Sequence, residues 1–255
     1  SRRPWPAPRA VSATTLWDRD EPRFARAAAE MVETGNYLVP HFNNEYRLHK
    51  PALIYWCMAP FIWLFGPTTL AVRLPSIIAM VANAVMVYHI GRRMFDHRTA
   101  QRAMLMFGTA VLPIYIGTAA MSDSVLNLSI TVAIFTFIDA AYRGFRWWQP
   151  VALALALAVA QLTKGPVGLA VPLLMFAAAA IFGRREIRIG WAWWIGCVAA
   201  VLGGTGLFLA WAIPANIATD GQFAAEGLGR HVGQRMTSAM EGHGGSNLPE
   251  YILTI

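Results

Sequence analysis

Six long apolar segments separated by short polar turns constrain the fold of this chain more than any other feature. A helix needs about 20 residues to cross a hydrocarbon core of about 30 Å, and each segment is close to that length. Only 14% of the residues are charged, whereas an ordinary soluble domain has about 25%. The sequence therefore predicts an all-α integral membrane protein with several spans. The predicted spans are residues 71–90, 103–120, 124–142, 149–163, 166–182 and 190–213.

The arginine-rich turns predict the orientation of these spans. GRRMFDHRTAQR, YRGFR and GRREIR occupy every second turn, so they face the cytoplasm under the positive-inside rule. The net charge of +7 follows from these turns and indicates no nucleic-acid-binding face. If the apolar run 52–65 spans the membrane, Lys50 lies opposite Asp123 and Lys164; otherwise all three share the outer face. The run has about 14 residues and contains Pro60, which favours an interfacial or re-entrant segment.

The predicted organisation has five parts. The chain ends within an apolar run, and the sequence is therefore interpreted as a fragment. The parts are a Pro/Arg-rich arm (1–15), an external loop with interfacial helices (16–70), six transmembrane helices (71–213), a second external loop (214–250) and the start of a further span (251–255).

An amphipathic helix is predicted between residues 21 and 34 of the first external loop. Apolar side chains recur there at helical spacing, and charged ones fall largely on the other side. Pro22 suits a helix start and Gly35 a helix stop. The apolar positions are Phe24, Ala27, Ala28, Met31 and Val32, and the charged ones are Arg23, Arg26, Glu30 and Glu33.

A few isolated charges outside the spans are candidates for chemistry. Asp20 is either the N-cap of this helix or a general base for an acceptor hydroxyl or amine. Glu21 is either a second acid or a first-turn residue favoured by the helix dipole. Lys50 either extends to lipid headgroups or binds a lipid-linked phosphate.

Further candidates lie in the later external turns. Lys164 is either an interfacial anchor or a second phosphate contact, and Asp123 is either a helix cap or an outward-facing polar ligand. His231 and His243, together with acids in the same loop, could bind a divalent metal. The loop contains no closely spaced HxxxH pattern, which makes the metal the weaker interpretation.

An ordered set of motifs resembles a known family. The stretches DEPRFA, HKPA, VRLPS, GRRMF, TKGP and EGHGG follow one another in the chain. Together they resemble bacterial membrane glycosyltransferases with the GT-C fold, relatives of the protein O-mannosyltransferases and of the lipid A aminoarabinose transferase. The resemblance covers most of residues 16–255. It implies a GT-C-like helical bundle in the bacterial inner membrane, with its active site on the periplasmic side.

The same resemblance implies a chemistry. The donor would be a polyprenyl-phosphate-linked sugar, the acceptor a lipid or a protein, and the surroundings membrane lipids, with no nucleic acid. Asp20, beside Glu21, would act as the catalytic base or as an acid that orients the acceptor, and Lys50 would bind the donor phosphate. A single displacement would invert the anomeric carbon. The further cavity residues would be Arg23, Asp123, Lys164 and His243.

Two departures from the family pattern affect this implication. Ala52 replaces the second proline of the KPP motif. Some members hold a metal through an acid before the lysine and through a later histidine, but His49 precedes Lys50 here, so the ligands differ or the metal is absent. The metal candidates are His231, His243 and His49.

Two other classes of function compete with the transferase. A transporter or flippase would carry ionisable residues inside its spans, and Asp139 is the clearest such residue. A purely structural membrane anchor would leave Asp20, Lys50, Asp123 and Lys164 unexplained.

Overall fold

The computed structural model describes residues 21–182 and 190–225, and within these ranges the chain is helical apart from one small hairpin. This confirms the all-α membrane fold. The helices are α1 (Glu21–Thr34), α2 (Leu53–Phe65), α3 (Thr69–Met94), α4 (His97–Thr109), α5 (Val111–Thr118), α6 (Ser122–Arg143), α7 (Trp148–Lys164), α8 (Pro166–Phe182) and α9 (Trp191–Ala218), and the strands β1 (His41–Phe42) and β2 (Glu45–Tyr46) pair antiparallel.

Helices α3, α6, α7 and α9 pack side by side and form the bundle. By length and composition, α3, α6 and α9 can cross a membrane, with 26, 22 and 28 residues. One core of the bundle is aromatic, since the rings of Phe137, Phe176 and Trp193 contact one another at centroid distances of 5.2 to 5.7 Å. These contacts hold α6, α8 and α9 together.

Helix α1 occupies the range that its periodicity predicts. Phe24, Ala27, Ala28 and Met31 are buried, as expected for the apolar face. Glu30 lies beside Arg26 of the charged face, with Arg26 Nε 2.8 Å from its Oε1, but it is buried. Its carboxylate accepts hydrogen bonds from the backbone N–H groups of residues 43 and 44, at 2.9 and 3.4 Å. Glu30 therefore stabilises the turn of the hairpin.

Helix α2 is short and packs against α1 and α3. Its 13 residues give a length of about 20 Å, less than the about 30 Å of a hydrocarbon core. One face is buried, whereas Trp63, Leu64 and Phe65 at its end are exposed. The short length and the exposed aromatic end favour the interfacial interpretation.

The second predicted span, 103–120, is wrong as a single helix. The chain forms α4 and α5, separated at Ala110, whose backbone is extended. The break lies just before Pro113, which has no N–H for the carbonyl of Thr109 and whose ring would clash with it. Pro113 instead occupies the first turn of α5, where a missing N–H costs little.

The segment between α1 and α2 is hydrogen-bonded to the end of α9. The indole N–H of Trp211 donates to the carbonyl of Leu38 at 3.0 Å. The hydroxyl of Tyr46 donates to the carbonyl of Ala218 at 3.3 Å. These two contacts hold the segment against the C-terminal end of α9.

Candidate functional site

The start of α6 brings together two lysines that are far apart in sequence. Lys50 donates from Nζ to the hydroxyl of Ser122 at 3.3 Å. Lys164 forms an ion pair with the carboxylate of Asp123, which directly follows Ser122 in the chain. Lys50, Asp123 and Lys164 therefore lie at one end of the bundle, as predicted for an interfacial run 52–65.

The position of Lys164 follows from the local sequence TKGP. Lys164 ends α7, and Gly165 has φ of +60°, a backbone conformation that favours glycine. Pro166 begins α8, where its fixed φ suits a helix start. A Cβ at Gly168 would lie 2.2 Å from the carbonyl oxygen of Ala160. The close return of α8 along α7 thus requires this glycine and keeps Lys164 at the turn.

Lys50 is half-buried and lies over an aromatic ring of α1. Its Nζ is 4.6 Å from the centroid of Phe24, which is fully buried. A cation over a ring face at this distance is attracted to it, and the attraction grows as water is excluded. The ring of Phe24 and the hydroxyl of Ser122 therefore fix the lysine between α1 and α6.

Glu21, the first described residue, is anchored to the bundle. Its buried carboxylate accepts two hydrogen bonds from Arg73 of α3, Nε to Oε1 at 3.0 Å and Nη2 to Oε2 at 2.8 Å. The backbone N–H of Ala120 donates to the same carboxylate at 2.5 Å. Glu21 thus joins the start of α1 to α3 and to the segment before α6. The prediction that it acts as a second acid stays a prediction.

Sequence reasoning missed Arg73. The signal was present, because an arginine in the first turns of an apolar helix rarely lies there without a partner. The partner, Glu21, is 52 residues away, and such long-range pairing is not visible in one sequence.

The remaining predicted residues are only partly described. Asp20, His231 and His243 lie outside the described residues. Arg23 is half-buried on α1, and His49 is exposed. Among residues 21–182 and 190–225, no group of three His, Cys, Asp or Glu side chains could hold a metal ion. The metal site stays a prediction.

A second buried polar cluster lies at the other end of α3. Arg93 donates from Nε to Asp139 Oδ1 at 2.5 Å, and Gln149 donates from Nε2 to Oδ2 at 2.9 Å. Gln149 also holds the carbonyl of Gly144 and the backbone N–H of Arg146. This cluster ties α3, α6 and α7 together. Asp139 therefore has structural partners, which weakens the interpretation of a transport path.

The chemistry available at the first end is anion binding. Two lysines and the first turn of α6 supply positive potential there, and helix N-termini favour negative groups. Phosphate oxygens are the acceptors that such point charges suit. Asp123 and Lys164 have side-chain exposures of 38% and 27%, so the pair remains accessible from the surface.

Curated relatives match two thirds or more of the chain. One undecaprenyl phosphate-α-4-amino-4-deoxy-L-arabinose arabinosyl transferase, from Erwinia tasmaniensis, is 33% identical over 174 residues, covering 67% of this chain and 32% of the relative. Another, from Shewanella sediminis, is 32% identical over 193 residues, covering 73% and 35%. The chain spans about a third of the length of these relatives.

Solved structures share the fold. The crystal structure of ArnT from Cupriavidus metallidurans in the apo state superposes with a TM-score of 0.79 and 20% identity, covering 93% of this chain and 43% of that chain. The structure of the same protein bound to undecaprenyl phosphate gives 0.80 and 22%, covering 89% and 42%. This similarity confirms the GT-C-like bundle.

The family profile of the dolichyl-phosphate-mannose-protein mannosyltransferases matches residues 49–209. The matched range begins just before Lys50 and includes Arg73, Asp123 and Lys164, all described above. It covers more than half of the chain and confirms the resemblance read from the ordered motifs. The chain belongs to the dolichyl-phosphate-mannose-protein mannosyltransferase family.

Proposed function

We propose that the intact protein is a glycosyltransferase that moves a sugar from a polyprenyl phosphate to an acceptor at the periplasmic face of the bacterial inner membrane. The observation that carries this proposal is the pair of lysines, Lys50 and Lys164, held by consecutive residues at the start of α6. The relatives' names favour undecaprenyl phosphate-α-4-amino-4-deoxy-L-arabinose as the donor. A lipid acceptor, lipid A, fits such a donor best; a protein acceptor is the alternative.

The reaction is a single displacement at the anomeric carbon. Asp20 takes the proton of the acceptor as the acceptor oxygen attacks, and the bond between the sugar and the phosphate oxygen breaks. The electron pair leaves with the polyprenyl phosphate. Lys50, Lys164 and Arg23 stabilise the charge that develops on it, which lowers the transition-state energy. Because the sugar is never bonded to the protein, the anomeric configuration inverts.

The buried anchor of Glu21 supports the assignment of Asp20. Asp20 is bonded directly to Glu21, whose carboxylate binds Arg73 and the backbone of Ala120. Ala120 lies two residues before Ser122, which holds Lys50. We assign Glu21 and Arg73 as positioning residues that keep the base close to the phosphate-binding lysines.

The decisive test replaces Asp20 with asparagine in the intact protein. Transfer from undecaprenyl phosphate-linked aminoarabinose should fall by a factor of about 10² to 10⁴, the usual contribution of a general base. Binding of the donor should change little, because asparagine keeps the shape. Glu33→Gln, which removes an exposed acid from α1, is the control. Normal transfer by Asp20→Asn would overturn the base assignment.

The periplasmic side is tested by cysteine labelling. Glu45→Cys in the exposed hairpin and Arg146→Cys near the opposite end would each be made in a background with Cys57 and Cys197 replaced by alanine. A membrane-impermeant maleimide added to intact spheroplasts should label residue 45 and leave residue 146 unlabelled. The reverse pattern would place the site in the cytoplasm.

A further inference from the structure

Arg47, at the end of the first external loop's hairpin, has an unusual environment. Its side chain is buried, with 9% exposure. The guanidinium carbon lies 5.3 Å from the ring centroid of Phe24 and 5.7 Å from that of Phe42. Its Nε donates to the hydroxyl of Tyr55 at 2.9 Å. Three different elements, α1, β1 and α2, therefore hold this one cation in place.

The charge of Arg47 is not balanced by a carboxylate among the described residues. There, the arginines within ion-pair distance of an acid are Arg26, Arg73 and Arg93. A buried charge without an opposite partner is costly, and ring faces compensate only in part. The site would be stabilised by an anion that reaches the guanidinium.

The terminal nitrogens of Arg47 are not completely sealed by the described part of the chain. In the described part of the chain, the hydrogen bond of this side chain is made by Nε alone. Among the described residues, the fully buried side-chain nitrogen and oxygen atoms that lack a hydrogen-bond partner are those of Asn83. The Arg47 nitrogens are not among them. The terminal nitrogens therefore keep hydrogen-bonding capacity, while the bond to Tyr55 and the two ring contacts hold the side chain in place.

Phe24 connects Arg47 to the proposed phosphate site. The Phe24 ring that contacts the guanidinium also contacts Lys50, whose Nζ lies 4.6 Å from the ring centroid. Two cations from one short stretch of the loop thus border one aromatic side chain. Arginine presents a planar fork that matches two phosphate oxygens, whereas lysine acts as a point charge.

We propose that Arg47 is a phosphate-binding residue whose terminal N–H groups donate to the oxygens of a lipid-linked phosphate next to Lys50. This inference rests on the proposed function. The phosphate belongs either to the polyprenyl donor or to a phosphorylated acceptor, since both present the same oxygens. The bond to Tyr55 and the two rings pre-organise the guanidinium, so little side-chain freedom is lost on binding.

The test measures binding of undecaprenyl phosphate without sugar to the intact, purified protein in nanodiscs. Arg47→Met should raise the Kd about tenfold or more, because a charged hydrogen bond is lost. Arg47→Lys keeps the charge but not the fork and should give a smaller increase. Arg102→Met, which removes an exposed arginine from α4, is the matched control and should bind normally. Lys50→Met serves as the reference variant.

A second measurement separates the two sources of phosphate. If the Kd for undecaprenyl phosphate is unchanged, the KM for a phosphorylated lipid acceptor should rise in Arg47→Met and that for its dephosphorylated form should not. Thermal unfolding of each variant is measured in parallel, and Arg47→Lys decides the matter if Arg47→Met does not fold.

The experiment distinguishes failure of the role of Arg47 from failure of the proposed function. Unchanged Kd and KM in both Arg47 variants, with weaker binding in Lys50→Met, overturn the role of Arg47 alone. If the wild type does not bind undecaprenyl phosphate and Lys50→Met makes no difference, the proposed function itself fails.

Discussion

The two ends of α3 carry buried ion pairs of the same kind but with different consequences. Glu21 with Arg73 and Asp139 with Arg93 each combine a carboxylate of 0% exposure with an arginine of 20% exposure. The first pair joins the start of α1 to the bundle. The second joins helices that are already packed against each other. Similar burial therefore predicts similar costs of disruption, but only the first pair controls where the site residues lie.

The largest effect is expected when Arg73 is replaced by glutamine. Glu21 would remain buried without its cation, and breaking a buried pair costs about 3–5 kcal/mol. The start of α1 should detach, so transfer per folded molecule should fall at least tenfold, as measured with a polyprenyl-phosphate sugar. Arg93→Gln is the matched control. Equal losses of transfer in both variants would remove the distinction between the pairs.

Asp139→Asn should affect stability without affecting the reaction. Arg93 loses its charged partner while Gln149 keeps a polar neighbour, so we expect a loss of about 3 kcal/mol in the free energy of unfolding. The measurement is the unfolding midpoint in detergent together with the transfer rate of the remaining folded protein. A fall in that rate would show that the second pair also reaches the site.

Asp123→Asn should impair the reaction with little effect on stability. This pair is partly exposed, and exposed pairs contribute at most about 1 kcal/mol to stability. Release of Lys164, however, should raise the KM for the donor, by about tenfold if one charged hydrogen bond to phosphate is lost. Titrating the donor against Asp123→Asn measures this change in KM. Ser129→Ala, a substitution further along α6, is the control. A large loss of stability with normal KM would contradict a binding role.

The smallest effect is expected at Asp96, which caps α4. Its carboxylate accepts from the backbone N–H and the hydroxyl of Thr99, each at 2.9 Å, and these bonds hold its pKa below the usual value. A lowered pKa contributes stability above the unfolded-state value, which is lost as the pH falls through the folded-state value. Asp96→Ala should therefore flatten the acid side of the stability profile slightly and leave transfer unchanged. A steeper acid loss in the variant would refute this.

Local features of the fold were predictable from the sequence, and long-range contacts were not. The range of α1 followed from its apolar spacing, and the turn at Lys164 from the interruption between the apolar runs 149–163 and 166–182. The break at Ala110 was missed because the apolar composition continues across Pro113. Composition gives the length of an apolar run but does not show whether the run forms one helix or two.

The candidate site was predicted as a set of residues but not as an arrangement. Charge isolation identified Lys50, Asp123 and Lys164 without indicating the contact between Lys50 and Ser122. Arg47 was overlooked because an arginine near a hairpin is usually solvated, and its burial depends on Phe24 and Phe42 from other elements. Such three-way packing has no signature in a single sequence.

The attachment of the first loop to α9 sets an order of events during synthesis. Leu38 and Tyr46 are hydrogen-bonded to Trp211 and Ala218, which lie 173 and 172 positions later in the chain. At the usual 5–20 residues per second, the ribosome needs roughly 10–35 s to make that stretch. The segment that contains Leu38 and Tyr46 therefore lacks these two contacts until α9 has been made. Chaperones or proteases that act at the membrane surface have that interval in which to meet it.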